Sequence, residues 1–474
     1  MLNKKIMAAS LSIAMLISLA GCSGGTSSRQ QEEDSIQRTE QTDAQNEIEI
    51  NETVDNREDG EHAIEADGVT RSYSNVMVTK TGEASGDEAD FYGANSAIFA
   101  TNGRTLDLSE IIVKTNGTHA NRIFSYGEGT TVTVSDSVIE TSGNCSGGIM
   151  TTGGGTMIAN DLSVHTTGNS SRAIRSDRGG GTVTVTGGSY TTDGVGSPAI
   201  YSTADITVNE ASLTSTSSQG VVVEGKNSVT LNNVTLSATN NSKNSDKSDW
   251  YQAVMLYQSM SGDARDGTSS FSMTGGSLDN YNGDIFFVNN TVAVIDLNNA
   301  RITNHDPDGV FLRARAAGWG NEGSNGGQVT LTAKHQNING NILVDGVSNL
   351  NLYLDESSVF EGAINPDGEE GDVYVEISGS AVWKLTGDSY ITSLTCSRDS
   401  IDLNGYKLYI DGEEYREGST MNGEAIETVV YSSSHGTDMS PPDGQGGPGG
   451  DKPDGDPPQM PGGGQPPEKP SGED

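Results

Sequence analysis

The sequence predicts an all-β protein, and three observations carry that expectation. Of its 474 residues 61 are Gly, while 32% are hydrophobic and 5% aromatic, which argues against a helical bundle. The apolar residues come as short runs of Val and Ile between Gly, Ser, Thr, Asn and Asp, as strands between frequent turns do. These runs also return with a fixed period. In Ala97-Ile98, Arg122-Ile123, Gly148-Ile149, Ala173-Ile174 and Ala199-Ile200 the Ile residues lie 25, 26, 25 and 26 positions apart. No Gly-X-Y period is present, so collagen is excluded.

In chain order, the first element is not part of the fold. Lys4 and Lys5 precede an apolar stretch from Ile6 to Leu19, and Leu19-Ala20-Gly21-Cys22 follows at once. This resembles the bacterial lipobox. The resemblance implies that residues 1–21 are a cleaved signal peptide and that the Cys22 thiol carries a diacylglycerol, with a further acyl chain such as palmitate on the new amino terminus. Two chains hold a protein firmly at a membrane, so the expected location is the extracellular face of the bacterial cell membrane. A plain secretory signal with a chance Cys, or an uncleaved anchor, are the alternatives. Residues 22–66, polar and Glu-rich, read as a disordered tether. Cys145 and Cys396 are expected to be free thiols, since a disulfide-stabilised exported protein would carry more cysteines. Nothing after residue 22 is long and apolar enough to span a bilayer.

The body follows from the repeat. Behind each Ile pair comes a second run, Thr105–Leu108, Thr131–Val134, Thr156–Ala159 and Thr182–Val185. A third closes the unit, at Ile111–Val113, Val138-Ile139, Leu162–Val164 and Ser189-Tyr190. Three short strands per roughly 25 residues return the chain above its start, one strand spacing higher, and each coil pairs with the next. The product is a parallel β-helix, whose coils are stable only when stacked. Later first strands are read at Val221-Val222, Ala253-Val254, Asp284-Ile285, Gly309-Val310 and Asn341-Ile342. Residues 67–431 then hold about thirteen coils, roughly 60 Å of stack, the last of them, with Trp383 and Tyr406, acting as a cap. Residues 432–474 read as a disordered Pro/Gly/Asp-rich tail.

The coil Ala173–Ser176, Thr182–Val185, Ser189–Thr191 resembles those of the right-handed parallel β-helix, or pectate-lyase-like, superfamily. The resemblance implies an all-β, right-handed solenoid. It leaves function open, because the superfamily holds polysaccharide lyases and hydrolases, tailspikes, adhesins and clostridial carbohydrate-binding lipoproteins. The net charge of −38, from 65 acidic and 27 basic residues, lacks the footprint of a nucleic-acid or anionic-lipid binder. The expectation is a lipid-anchored, non-enzymatic polysaccharide-binding or adhesin-like protein whose partner is a polysaccharide or a host or neighbour surface, reaching the membrane through its lipid alone. A lyase or hydrolase of acidic glycan, and a structural surface spike, are the alternatives.

Candidate site residues follow from alternation along a strand. If the first-strand Ile points inward, Phe99, Phe124, Met150, Arg175, Tyr201, Val223, Met255 and Phe286 point outward, and aromatic faces at strand spacing could stack on sugar rings. A slip of one residue would make them core, and a loop could cover them. The long loops add Trp250, Tyr251 and Trp319. The ligand-binding set is therefore Phe99, Phe124, Arg175, Tyr201, Trp250, Tyr251 and Trp319. An enzyme would draw on Arg175, Asp177, Arg313 and Arg315 for acid–base chemistry, although paired acids on adjacent strands are scarce. No cofactor is expected. Ca²⁺ is possible at Asp306 and Asp308, where Asp-Pro-Asp-Gly equally suits a plain turn.

Overall fold

The structure, a computed structural model, describes residues 48–428 except residue 244. The leader, Cys22, the first half of the tether and the 432–474 tail lie outside the described residues. Among the described residues the one helix is Asp87–Phe91 and the remainder is strand and turn. No described helix is long and apolar enough to cross a membrane.

Among the described residues three long parallel sheets build most of the molecule, the chain visiting them in rotation, and two shorter sheets of 4 and 3 strands take over beside the second toward the chain end. The first begins with Ile64–Asp67, Ile98–Thr101 and Ile123–Tyr126 and has 11 strands. The second begins with Arg71–Ser74, Thr105–Ser109 and Thr131–Ser135 and has 14. The third begins with Glu52–Asn56, Val76–Lys80 and Ile112–Thr115 and has 10. Each strand pairs with the strand one rung on, so like meets like. In the first sheet Ile64, Ile98, Ile123, Ile149, Ile174, Ile200, Val221, Val254, Phe286, Leu312 and Ile342 form one in-register column. The second sheet answers with Leu106, Val132, Met157, Val183 and Ile206. These columns meet in one continuous core from Ile64 to Tyr415, which is how a chain with few apolar residues buries enough of them.

Two corner types set the period. Between second and third sheets, Glu110, Asp136, Asp161, Glu210, Asn233 and Asn299 each take a left-handed conformation (φ 49 to 54°), bending the chain within two or three residues. Between third and first sheets the chain turns through Gly143, Gly168 and Gly194. These stack so closely that a Cβ on Gly168 would lie 2.0 Å from the Gly143 carbonyl oxygen. Ser146, Ser171 and Ser197 each donate to the glycine carbonyl one rung back, tying successive corners together.

Pairing begins at Glu52, earlier than the expected start at 67. Glu52–Asn56 and Ile64–Asp67 alternate around Val54, Ile64 and Ala66, a pattern hidden by their acidic residues. At the other end Trp383 is buried, stacks on Phe360 with ring centroids 5.5 Å apart, and donates to the Gly362 carbonyl. The strand Met421–Asn422 closes the second sheet antiparallel. Ile426 then bonds through both backbone groups to the Asn351 side chain. Both Cys145 and Cys396 are free.

Candidate ligand-binding site

The outward column of the first sheet is Phe99, Phe124, Met150, Arg175, Tyr201, Val222, Met255, Phe287 and Arg313. Two expected members are corrected. Val223 and Phe286 point into the core, and Val222 and Phe287 take their places. The expected first strands at Asp284-Ile285 and Gly309-Val310 shift likewise, to Phe286 and Leu312. Val221–Val223 and Ile285–Val288 are unbroken apolar runs, and without alternation the sequence does not say which side chain faces in.

The column is not an open aromatic platform. Phe99, Phe124 and Met150 form their own buried cluster beneath the helix Asp87–Phe91 and its flanking turns. The chain crosses them at Gly93 (φ 81°), where a Cβ would sit 2.8 Å from the Phe99 ring, and His62 stacks on Phe99 at 4.5 Å. Phe99 and Phe124 therefore cannot meet a glycan, which corrects their assignment as ligand-binding residues.

Ion pairs hold this strap down. Arg175, buried, bonds to Asp90 at 2.8 Å and to Asp177 at 2.9 Å. Arg178 reaches Asp87 at 2.8 Å and Asp263 at 2.7 Å, with its guanidinium 3.7 Å from the centre of the Phe91 ring. Burial pushes the Asp177 carboxyl up to about 6 against the pull of Arg175, with Asp263 adding to the rise. One pair of arginines thus fastens both the helix and the 258–267 loop to the first sheet.

Beyond Arg175 the cover parts. Tyr201, Val222 and Met255 floor a cavity of about 130 Å³. Trp250 and Tyr251 come from the loop before Gln252–Tyr257, and Trp319 comes from the loop after Leu312–Ala314. A backbone bond from Gly318 to Lys247 (2.7 Å) joins these two loops, and Asn325 holds the second through the carbonyls of Ala317 and Trp319. Trp250 lies over Phe287 with ring centroids 6.1 Å apart, and Tyr257 meets Trp319 edge-on at 5.3 Å. Tyr201, Trp250, Tyr251 and Trp319 all line this one cavity.

Cations gather around it, against the charge of the whole chain. Arg172 stacks over Tyr201 (5.0 Å), Lys243 over Tyr251 (5.5 Å) and Lys247 over Trp319 (6.0 Å). Arg313 and Arg315 both face Trp250, at 5.2 and 4.3 Å. Behind the floor lies Glu224, 1% exposed, which accepts hydrogen bonds from the Tyr201, Tyr257 and Ser259 hydroxyls. Burial raises its carboxyl above the usual range. Glu224 is not singled out in the sequence, because its strand reads there as ordinary apolar core, and Gln252, a polar member of the lining, is read only as the last residue of the long loop that carries Trp250 and Tyr251.

The remaining candidates sit elsewhere or are engaged. Arg175 and Asp177 neutralise each other under the helix. Arg313 holds Asp284 at 2.6 Å, and Arg315 lies on Trp250. Asp306 accepts the backbone N–H groups of Asp308 (3.0 Å) and Gly283 (2.7 Å), as a turn does. Among the described residues no group of three or more His, Cys, Asp or Glu is placed to hold a metal. A wider depression of about 420 Å³ on the third sheet, past Lys114, Glu140 and His165, has no Phe, Tyr or Trp in its lining. No protein-family model, curated protein or solved structure matches the chain.

Proposed function

We propose that this is a right-handed parallel β-helix of about thirteen coils, lipid-anchored through Cys22 at the outer face of a bacterial membrane, that binds polysaccharide without cleaving it. The observation that carries the reading is the convergence of Tyr201, Trp250, Tyr251 and Trp319 on one cavity. Aromatic faces with nearby polar groups suit the alternately apolar and hydroxylated surface of a sugar ring. Arg172 and Lys243 in the lining favour a glycan bearing carboxylate or sulfate groups. The lyase or hydrolase alternative has less support, because Arg175, Arg313 and Arg315 are stacked on a ring or held by a carboxylate, Asp177 is bound to Arg175, and, among the described residues, no Asp or Glu stands in the lining of the cavity.

The test is a glycan-array screen of the full chain, with reducing-end and unsaturated-product assays on the hits. Binding without product release is expected, and Trp319→Ala should weaken it by about 1 kcal/mol or more. Product release would move the protein to the enzyme class.

A further inference from the structure

Ten of the 13 prolines in the chain fall within residues 441–474, together with seven Asp or Glu and two Lys. The run from Pro453 to Pro461, Pro-Asp-Gly-Asp-Pro-Pro-Gln-Met-Pro, holds four of those prolines and two carboxylates. Proline-rich segments are bound by grooves lined with Trp and Tyr, because the rings pack on the pyrrolidines and little ordering entropy is lost. Such backbones also leave their carbonyl oxygens free to accept hydrogen bonds.

The cavity beside Tyr201 has the matching parts. Trp250, Tyr251 and Trp319 stand in its lining and are each partly exposed. Among the described residues, no hydrogen bond is made by the indole N–H of Trp250 or Trp319 or by the Tyr251 hydroxyl, and none of these atoms is closed off from solvent. Arg172 and Lys243 add positive charge to a lining without Asp or Glu, and Lys247 adds it at the Trp319 ring. Asp249 approaches Lys243 only to 3.8 Å and is itself largely solvated. A chain of net charge −38 thus carries both a cationic, aromatic site and an acidic, proline-rich segment.

Before its described part ends, the chain turns back toward this site. Met421–Asn422 pairs with Ser393–Cys396, and Ile426 then bonds to Asn351, two rungs nearer the chain start. Three further rungs lead from Asn351 through Thr330 and Val294 to Ser270, on the strand after Gln252–Tyr257, roughly 15 Å along the stack. About 25 residues separate 428 from Asp454. A coil of that length spans about 25–30 Å on average and about 75–80 Å when extended, enough to round the corner to the first sheet as well.

We propose that Pro453–Pro461 of the chain's own tail occupies the cavity and competes there with glycan. The prolines lie against Trp250, Tyr251 and Trp319, and Asp454 and Asp456 meet Arg172 and Lys243. A tethered segment is present at about millimolar effective concentration, so a weak contact suffices to fill the cavity. The competition rests on the glycan-binding reading above; the docking does not.

The experiment treats the full chain, dilute and in detergent, with a short lysine-reactive cross-linker and maps the products by mass spectrometry. Lys452 directly precedes Pro453, Lys243 and Lys247 flank the cavity, and Lys384 and Lys407 belong to the cap end. Lys452 should link to Lys243 and Lys247 in preference to Lys384 and Lys407. A variant with Pro457→Ser, Pro458→Ser, Pro461→Ser, Asp454→Asn and Asp456→Asn, all outside the stack, should lose that preference. The same variant should bind an array glycan about fivefold more tightly than the unaltered chain, since its cavity is no longer occupied. Links spread evenly over the four lysines, links indifferent to the variant, or links joining isotopically heavy to light copies overturn docking of the chain's own tail and leave glycan binding intact. Unchanged glycan affinity in the variant overturns the competition. Absence of binding to every array glycan overturns the glycan reading alone, because the cross-links are read without a glycan.

Discussion

His119 shows what the strap does to a single side chain. Its Nδ1 lies 3.7 Å from Asp90, an ion-pair distance, one residue short of the Phe91 that seats the helix. Asp90 and then the Cys145 thiol raise its pKa from 6.5 to about 9, against the opposing effect of burial. A folded pKa above the unfolded value means that the contribution to stability is complete below about pH 6.5 and fades as pH rises through 9. Following the His119 ring protons by NMR should give a midpoint far above that of an exposed histidine, and Asp90→Asn should lower it. A midpoint near 6.5 in the intact protein would contradict the pairing. Phe124 tests the same cover by packing. It is fully buried between sheet and strap, so Phe124→Ala should cost about 3–5 kcal/mol. The melting temperature should fall while glycan affinity holds, the opposite of what Trp319→Ala should do.

At the scale of elements, the corners decide whether rungs can stack. Gly168→Ala places a methyl group against the Gly143 carbonyl oxygen, and the rungs must part or the corner must twist. The expected cost is about 1–3 kcal/mol, as for other overpacked sites, read as a lower melting temperature. A neutral result would mean that the corners are looser than their geometry. The strands themselves were legible in the sequence wherever Ile, Val and Thr alternate, as in Thr131–Val134. They were not legible in Ile285–Val288, where both faces are buried and every side chain is apolar. The cover was hidden for a different reason. Nothing local in Asp87–Phe91 says that it lies across strands up to 91 residues away, and the Arg178–Asp87 bond that holds it there is visible only in space. The loop aromatics were legible because Trp and Tyr in long insertions stand out from a Thr-rich background, although their shared cavity was not.

For the whole molecule, one core runs through all rungs, so stability is close to a sum of neighbour terms. Rungs near the ends have fewer neighbours and should open first. Amides of Ile64–Asp67 and Leu408–Ile410 should exchange with deuterium sooner than those of Ile174–Ser176, and uniform protection along the stack would refute this. Anchoring is testable at the same scale. Cys22→Ser should release the protein from membranes into the medium, and retention in the membrane fraction after a salt wash would rule out the lipid.

The first rung has an implication for crowding at a cell surface. Among the described residues, Glu52–Asn56, Ile64–Asp67 and Arg71–Ser74 have strand partners on one side only. A row of unpaired backbone groups invites another chain to add itself and extend the stack. Here that row carries exposed Glu52, Asp55, Glu65 and Asp67. A second copy approaching with the same rung would set carboxylate against carboxylate. The acidic residues that disguise these strands in the sequence guard against such head-to-head pairing, so that, under the anchoring proposed above, neighbouring copies remain separate molecules.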